Sequence, residues 1–378
     1  MCAIRRFGLA LICTLPFVAP ANAQETYKVG ASVALSGYLA VIDAPWKDGV
    51  VLGADTLNQK GNILGRKANV VFEDMRAEPA EAVTVVRKMI SAEKVGALIN
   101  GCSSAGNAAI APLVDQAQIP MMLCSILPPK VEDQKWAFSL LPPPAFEIEP
   151  RFAYLQKAGL KKVGLLFDPT PYAGAQKRSA EELAGKFGLE IVAAEQYKPA
   201  DAEMTAYFIK LKSAGAEAVL KLGLGPSTIT AAKALKQLAM TTPLLGSTDD
   251  LSVMHAAADV LGPQFLFVAQ RIQVVDLLPK EQASTKAATE FLSLWKARHG
   301  DRDPTWGSRG WDAFQVLAAA IAKAGSVEGA KVRDALEGIA GYQGASGELN
   351  FSAKSHYGVT SNPYYLAQII GKKIKINP

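Results

Sequence analysis

Apolar runs of strand length alternate with stretches of helical periodicity along most of the chain. Strands are predicted at 27–35, 68–73, 95–100 and 120–124, and the stretch that begins at Pro79 has the spacing of an amphipathic helix. This β-α-β rhythm is typical of a parallel sheet covered by helices on both faces.

The same rhythm restarts after the prolines at 142–144. Strands are predicted there at 162–167, 189–194, 218–222, 243–246 and 265–269, and antiparallel strands at 347–352 and 364–376. We therefore predict an α/β protein with two Rossmann-like lobes. One lobe combines 24–142 with 271–346, and the other combines 143–270 with 347–378. Crossings near 142, 270 and 346 would form a three-crossing hinge.

The first 23 residues have the three-part layout of a secretory signal peptide. Arg5 and Arg6 supply positive charge, residues 7–18 are apolar, and Ala21-Asn22-Ala23 is an A-x-A cleavage site. The apolar stretch is too short to span a bilayer. The alternative is an irregular N-terminal helix. The prediction is a soluble periplasmic protein that begins near Gln24.

Charge and composition argue against several classes of function. The formal net charge of +5 falls to +3 when Arg5 and Arg6 leave, and no basic stripe interleaves with aromatic residues. Nucleic acid is therefore not an expected partner. The three histidines are dispersed, and no HExxH, GxSxG or Walker A motif occurs, so an enzyme is unsupported. We expect no cofactor and no metal site.

Two cysteines, Cys102 and Cys124, remain in the mature chain. In an oxidising compartment two such cysteines usually pair, and two buried free thiols are the alternative. A disulfide would close a loop of about 23 residues and contribute about 3 kcal/mol to stability.

Small hydroxyl side chains follow three of the predicted strands: Ser36, the pair Ser103 and Ser104, and Ser125. The carboxyl ends of strands are where open α/β sheets bind ligands. A hydroxyl group beside free N–H groups at a helix start can hold a carboxylate. The alternative for Ser103 and Ser104 is that they only cap a helix.

A set of short motifs occurs in a specific order and spacing, although each motif alone is weak. They are Val29-Gly30 to Leu35-Ser36-Gly37, Gly49 to Ala54, Asn58 to Gly65, Glu73-Asp74 to Pro79 and Val83, Cys102-Ser103-Ser104, Ile119-Pro120, Asp168 to Tyr172, Gly246-Ser247-Thr248, and Gly347 to Phe351. On these motifs the chain resembles the periplasmic Leu/Ile/Val-binding proteins of ABC transporters over nearly all of its mature length. The resemblance implies the type I periplasmic binding fold, closure of two lobes around a small ligand, and docking on membrane permease subunits. We expect a monomer.

The resemblance also assigns roles to residues in this sequence. Ser103 corresponds to the serine that grips the ligand carboxylate, and Tyr172 to a cleft tyrosine of the second lobe. The second carboxylate-binding loop corresponds to Ser125, Ile126 and Leu127. The family often joins the equivalent of Cys102 to a cysteine at the position of Ala77, so the disulfide partner here is expected to be Cys124.

Three departures from the family pattern bear on the ligand. The acidic residue that receives an α-ammonium group falls at Thr248, and two cleft tyrosines fall at Ile42 and Leu224. An ammonium group without a carboxylate partner would carry a desolvation cost of several kcal/mol in a closed cleft. The hypothesis is therefore an aromatic or branched aliphatic acid without an amine. Asp249 or Asp250 would restore an ammonium partner.

Other functions stay open at this stage. They are an amino-acid-binding or amide-binding protein of the same transporter class, a ligand-sensing regulator on the same fold, and an enzyme.

Overall fold

The first sheet is parallel and has five strands. The structure is a computed structural model that describes residues 25–127 and 135–377. The predicted signal peptide lies outside these residues. The strand order is β2-β1-β3-β4-β5. The strands are β1 Thr26–Val33, β2 Lys67–Asp74, β3 Ala97–Asn100, β4 Met121–Leu123 and β5 Ala137–Ser139.

The second sheet has seven strands in the order β14-β13-β10-β9-β8-β6-β7. They are β6 Lys162–Phe167, β7 Glu190–Gln196, β8 Ala218–Leu222, β9 Leu244–Gly246, β10 Phe265–Ala269, β13 Tyr365–Ile370 and β14 Lys373–Ile376. All residues of β8 and β10 are buried, as expected where helices cover both faces of a parallel sheet. The single strand predicted at 364–376 is a hairpin of two strands, β13 and β14, which pair antiparallel with each other, and β13 also pairs antiparallel with β10. A separate small ribbon pairs β11 Tyr342–Gln343 with β12 Glu348–Leu349.

Helices pack on both sheets. They are α1 Ala40–Lys60, α2 Pro79–Lys88, α3 Ser104–Ala117, α4 Ala145–Lys157, α5 Pro171–Ala184, α6 Thr205–Ser213, α7 Ser227–Gln237, α8 Leu251–Leu261, α9 Ala283–His299, α10 Thr305–Ala324 and α11 Gly329–Glu337. Pro79 and Pro171 occupy first-turn positions, where a missing N–H costs nothing. The two-lobed α/β class predicted from the sequence is confirmed.

The chain passes between the two sheets after β5 and again after β10. The third passage comes later than predicted. Leu349, Phe351 and Val359 pack in the core of the first lobe, and Ser139 of β5 bridges to Tyr357. Residues 348–359 therefore lie with the first sheet, and the crossing predicted near 346 occurs after Val359. The error arose because an isolated strand pattern carries no information about which sheet it joins.

Helices α1 and α10 approach each other at glycines. A Cβ added to Gly49 would lie 1.9 Å from the carbonyl oxygen of Gly307, and one added to Gly310 would lie 2.1 Å from that of Trp46. Only glycine allows backbones to pack at this distance. This contact fixes the N-terminal end of α10 beside the cleft between the lobes.

Candidate functional site

The carboxyl ends of the two sheets face each other across a cleft, and a narrow cavity lies between them. Each lobe contributes four lining residues: Tyr38, Leu39, Cys102 and Ser104 from the first, and Asp168, Thr170, Tyr172 and Leu224 from the second. The space inside it that water-sized molecules can reach is about 10 Å³, far below the roughly 300–1,000 Å³ of ligand pockets. The walls must therefore separate before a solute can enter.

The lobes touch beside this cavity. A Cβ added to Gly225 would lie 3.2 Å from the carbonyl oxygen of Tyr38. Tyr172 and Leu224 of the second lobe belong to the same buried apolar cluster as the first lobe's core. The structure is thus a closed form, in which the cleft is shut around the cavity.

The N-terminus of α3 forms the polar part of the first wall. Ser103 is the N-cap, and its Oγ accepts a hydrogen bond from the N–H of Gly106 at 3.1 Å. Ser104 is buried and lines the cavity. Among the described residues, neither its hydroxyl group nor the N–H groups of Ser104 and Ala105 have a hydrogen-bond partner. The helix start therefore offers unused donors to the cavity.

A disulfide joins Cys102, which follows β3, to Cys124, which follows β4. This confirms the predicted pairing. Behind it, the buried carboxylate of Asp43 accepts the N–H groups of Ala34 and Cys102, each at 2.7 Å. Burial raises the pKa of Asp43 to about 7, although these two hydrogen bonds oppose the shift. Asp43 and the disulfide together fix the strand ends that form the first wall.

The second wall is organised by Glu147, which lies near the start of α4. Its carboxylate accepts hydrogen bonds from the hydroxyl group of Tyr172 and from the N–H of Thr248, the latter at 3.0 Å. Burial raises the pKa of Glu147, and the neighbouring guanidinium group of Arg151 opposes that shift. Glu147 therefore holds the cavity-lining Tyr172 against the end of β9.

Asp168 follows β6 and presents a buried carboxylate to the cavity. Its Oδ1 accepts the N–H and the hydroxyl group of Thr170, whereas within the described part of the chain its Oδ2 has only a long contact of 3.5 Å with the hydroxyl group of Tyr197. A Cβ added to Gly223 would lie 2.0 Å from Oδ2, so that position requires glycine. Burial, and then the nearby charge of Asp168, raise the pKa of Tyr38 to about 12.

Asp249 does not line the cavity, because its carboxylate is used within the second lobe. Oδ2 accepts the N–H of Gly225 at 2.6 Å, and Oδ1 accepts the N–H of Asp250 at 2.9 Å. Burial raises its pKa to about 6. Lys221 is also buried nearby and donates to the carbonyl oxygen of Gly223 at 3.1 Å. Burial lowers the pKa of Lys221 to about 8.

The cavity brings together only some of the residues predicted from the sequence. Ser104, Tyr172 and Leu224 line it, Ser103 caps the helix behind it, and Thr248 lies behind Tyr172. The others are buried in the first lobe and do not line the cavity: Ile42, Ser125, Ile126 and Leu127.

Contacts within the first lobe account for these positions. The hydroxyl group of Ser125 accepts from the side-chain amide of Asn107 at 3.0 Å and contacts the carbonyl oxygen of Ile126. The N–H of Leu127 donates to the hydroxyl group of Tyr357 at 3.2 Å.

Sequence reasoning missed Tyr38, Leu39, Asp168 and Thr170. The strand-end rule that singled out the serines applies equally to Asp168, which directly follows β6. Glu147 gave no such signal, because its partners lie 25 and 101 residues away along the chain.

Two classes of feature do not occur in the described residues. No group of three or more His, Cys, Asp or Glu side chains is placed to hold a metal ion. In the same part of the chain, no helix is long and apolar enough to cross a membrane.

Residues 26–373 match the family described as periplasmic binding protein, so the chain belongs to that family. A Leu/Ile/Val-binding protein homolog 7 of Brucella melitensis is 21% identical over 347 residues, which cover 88% of this chain and 85% of the relative. The predicted type I periplasmic binding fold and the resemblance to the branched-chain amino acid class are thereby confirmed. The names of the similar proteins describe binding proteins and ligand-binding receptors.

Solved structures share this fold. An extracellular ligand-binding receptor from Rhodopseudomonas palustris superposes with a TM-score of 0.85 at 18% identity, covering 94% of this chain and 100% of that one. An ABC-transporter solute-binding protein of R. palustris in complex with benzoate gives a TM-score of 0.77 at 21% identity, covering 93% and 95% of the two chains.

Proposed function

We propose that this protein captures a small carboxylic acid in the cavity between its lobes for delivery to an ABC importer. The observation that carries the proposal is the start of α3, where the hydroxyl group of Ser104 and the N–H groups of Ser104 and Ala105 have no partner among the described residues. A carboxylate placed there would accept several charge-assisted hydrogen bonds, each contributing about 1.5–3 kcal/mol.

The ligand that we propose is an acid without an amine. Thr248 offers no negative charge, and the carboxylate of Asp249 is already occupied by two N–H groups. Leu39, Leu224 and two tyrosines form the apolar and aromatic part of the remaining wall, and Asp168 and Thr170 form its polar part. An aromatic or branched aliphatic acid matches both parts of the cavity. The benzoate complex of a protein with the same fold supports this choice.

An amino acid is the second candidate, and Asp168 favours it. Its carboxylate lines the cavity, and the one contact of Oδ2 in residues 25–127 and 135–377 is the long one with Tyr197. This oxygen can accept a hydrogen bond from a ligand ammonium group, and its carboxylate supplies the negative charge that Thr248 lacks. The names of similar proteins, such as Leu/Ile/Val-binding protein homolog 7, support the same alternative.

We further propose that the protein acts in the periplasm as a monomer and hands its ligand to membrane permease subunits. The signal-peptide pattern of residues 1–23 and membership in the periplasmic binding protein family support this role. Delivery requires the hinge to reopen. The ligand leaves unchanged, because the proposed role is binding and not catalysis.

A thermal-shift panel tests the proposal. The mature protein, freed of bound ligand by unfolding and refolding, is heated with benzoate, isovalerate, leucine and benzamide. A ligand at 100 times its Kd adds about 2.7 kcal/mol to stability, which raises Tm measurably. We expect the acids to raise Tm and to be recovered unchanged by chromatography. A shift with leucine alone would select the second candidate, and conversion of an acid would indicate an enzyme.

A further inference from the structure

Several buried polar atoms at the carboxyl edge of the second sheet have no partner among the described residues, and four of them belong to side chains whose residues bond to Glu147 or Ser247. They are Nη1 and Nη2 of Arg151, Nε2 of Gln176 and Oγ1 of Thr248. Arg151, Gln176 and Thr248 are all fully buried. We call these three side chains the donor cluster.

Hydrogen bonds link the donor cluster to the wall of the cavity. Arg151 Nε donates to the carbonyl oxygen of Glu147 at 2.9 Å, and the carboxylate of Glu147 accepts the N–H of Thr248 and the hydroxyl group of Tyr172. Gln176 lies one turn after Tyr172 on α5. The ring of Tyr172 lines the cavity, so this side chain separates the cavity from the cluster.

Leaving these atoms unpaired is energetically unfavourable. A buried donor without a partner costs about 1–3 kcal/mol, and a charged donor costs more. Three of the four atoms, those of Arg151 and Gln176, are obligate donors, and Thr248 Oγ1 can donate as well. The cluster therefore needs hydrogen-bond acceptors, and the described residues do not supply them.

The position of the cluster bears on ligand class. Thr248 is uncharged, and its hydroxyl group has no partner among the described residues. The same edge of the cleft presents the donors of Arg151 and Gln176, beside the buried cation of Lys221 and the carboxylate of Glu147, whose oxygens already accept the N–H of Thr248 and the hydroxyl group of Tyr172. A ligand group that meets this edge must therefore carry oxygen acceptors.

We propose that the donor cluster is a second ligand subsite, which binds an acceptor oxygen at the far end of the captured acid when Tyr172 turns aside. This inference rests on the proposed capture of an acid at the start of α3. The ligand class is a carboxylic acid with a second carboxylate or carbonyl group. One end binds Ser104, and the other binds Arg151 and Thr248.

Two pairs of acids test the subsite by calorimetric titration of the mature protein: 4-methylbenzoate with terephthalate, and hexanoate with adipate. Each pair exchanges a methyl group for a carboxylate. We expect the diacid of at least one pair to bind at least tenfold more tightly than its partner. If monoacids bind and neither diacid binds more tightly, the subsite is wrong and the proposed function stands. If no acid binds and amino acids do, the proposed function itself fails.

Three variants test whether the donor cluster causes the difference in affinity between diacids and monoacids. Thr248→Val removes one hydroxyl group at constant shape, and Arg151→Lys keeps the charge but removes the guanidinium fork. Both should lower the diacid-to-monoacid affinity ratio at least fivefold. Thr241→Val, an exposed threonine ahead of the same strand, should leave the ratio unchanged. An unchanged ratio in Thr248→Val would mean that ordered water alone fills the cluster, and it would overturn the proposal even if Arg151→Lys fails to fold.

Discussion

The carboxylate of Asp303 accepts the backbone N–H of Leu251 at 2.6 Å. Asp303 precedes α10 in the first lobe and Leu251 begins α8 in the second, so this hydrogen bond joins the lobes. The same carboxylate accepts the N–H and hydroxyl group of Thr305. Burial, followed by the nearby charge of Asp250, raises the pKa of Asp303. Closure of the lobes thus places this acid where its protonated form is favoured.

Ligand affinity should increase as the pH falls from 7.5 to 5.5. When the lobes open, Asp303 meets water and its pKa returns toward the ordinary value of about 3.9. The closed form then binds a proton more tightly than the open form, so protonation stabilises closure between these two pKa values. One group can change Kd by at most about tenfold per pH unit. Calorimetric titration across this range measures the slope.

Other charged groups near Asp303 need a control. His255, Asp301 and Arg302 line the same groove, and Arg302 also pairs with Asp48 of α1. Asp303→Asn should flatten the pH dependence, whereas Asp301→Asn, in the same loop and exposed, should retain it. Asp43 and Asp249 also have raised pKa values, but contacts within their own lobes hold them, so closure changes them little. Affinity that weakens on acidification would contradict this role of Asp303.

Ser104→Ala should weaken acid binding at least tenfold, because it removes a hydrogen bond to a charged group that contributes about 1.5–3 kcal/mol. The Tm of the ligand-free protein should barely change, since the hydroxyl group has no partner among the described residues. Ser103→Ala is the matched control. It removes the cap on Gly106 and should cost about 1 kcal/mol of stability, lowering the ligand-free Tm. If Ser103→Ala instead abolishes binding at unchanged Tm, Ser103 holds the carboxylate.

Asp168→Asn separates the two candidate ligands. For an acid without an amine, loss of a negative charge from the cavity should tighten binding severalfold, because like charges repel in a buried site. For an amino acid, the same change removes the ammonium partner and should weaken binding more than tenfold. Calorimetric titration of benzoate and leucine against both proteins decides between them. Unchanged affinity for both ligands would remove Asp168 from the site.

Replacing both cysteines with serine should lower Tm by roughly 5–10 °C, because the disulfide contributes about 3 kcal/mol in the chain-entropy model. The bond also fixes the two strand ends behind Ser104, so the affinity for acids should fall as well. Calorimetric scanning with and without ligand separates these effects. A variant with native Tm would show that the disulfide contributes no stability.

The sequence predicted the strands closely because buried parallel strands are short apolar runs bounded by turns. The predictions at 162–167, 218–222 and 265–269 match β6, β8 and β10 residue for residue. Long-range placement was harder. The segment from 348 to 359 was assigned to the wrong sheet, since pairing partners such as Ser139 and Tyr357 are more than 200 residues apart.

The candidate site was only partly predictable for a related reason. Ser104 and Tyr172 were found because they follow strands or match family motifs. Ile42 and Leu127 were assigned by position in a motif, and the structure places their side chains in the first lobe's core. Glu147 was not predictable, because its role depends on contacts with Tyr172 and Thr248 that only the folded chain creates.

The central claim is that the start of α3 recognises a carboxylate, and one calorimetric comparison tests it most directly. The tightest-binding acid of the panel is titrated beside its own carboxamide, which has nearly the same shape without the charge. We predict that the acid binds at least a hundredfold more tightly, which corresponds to about 2.7 kcal/mol. Equal affinity for the two compounds would contradict the account.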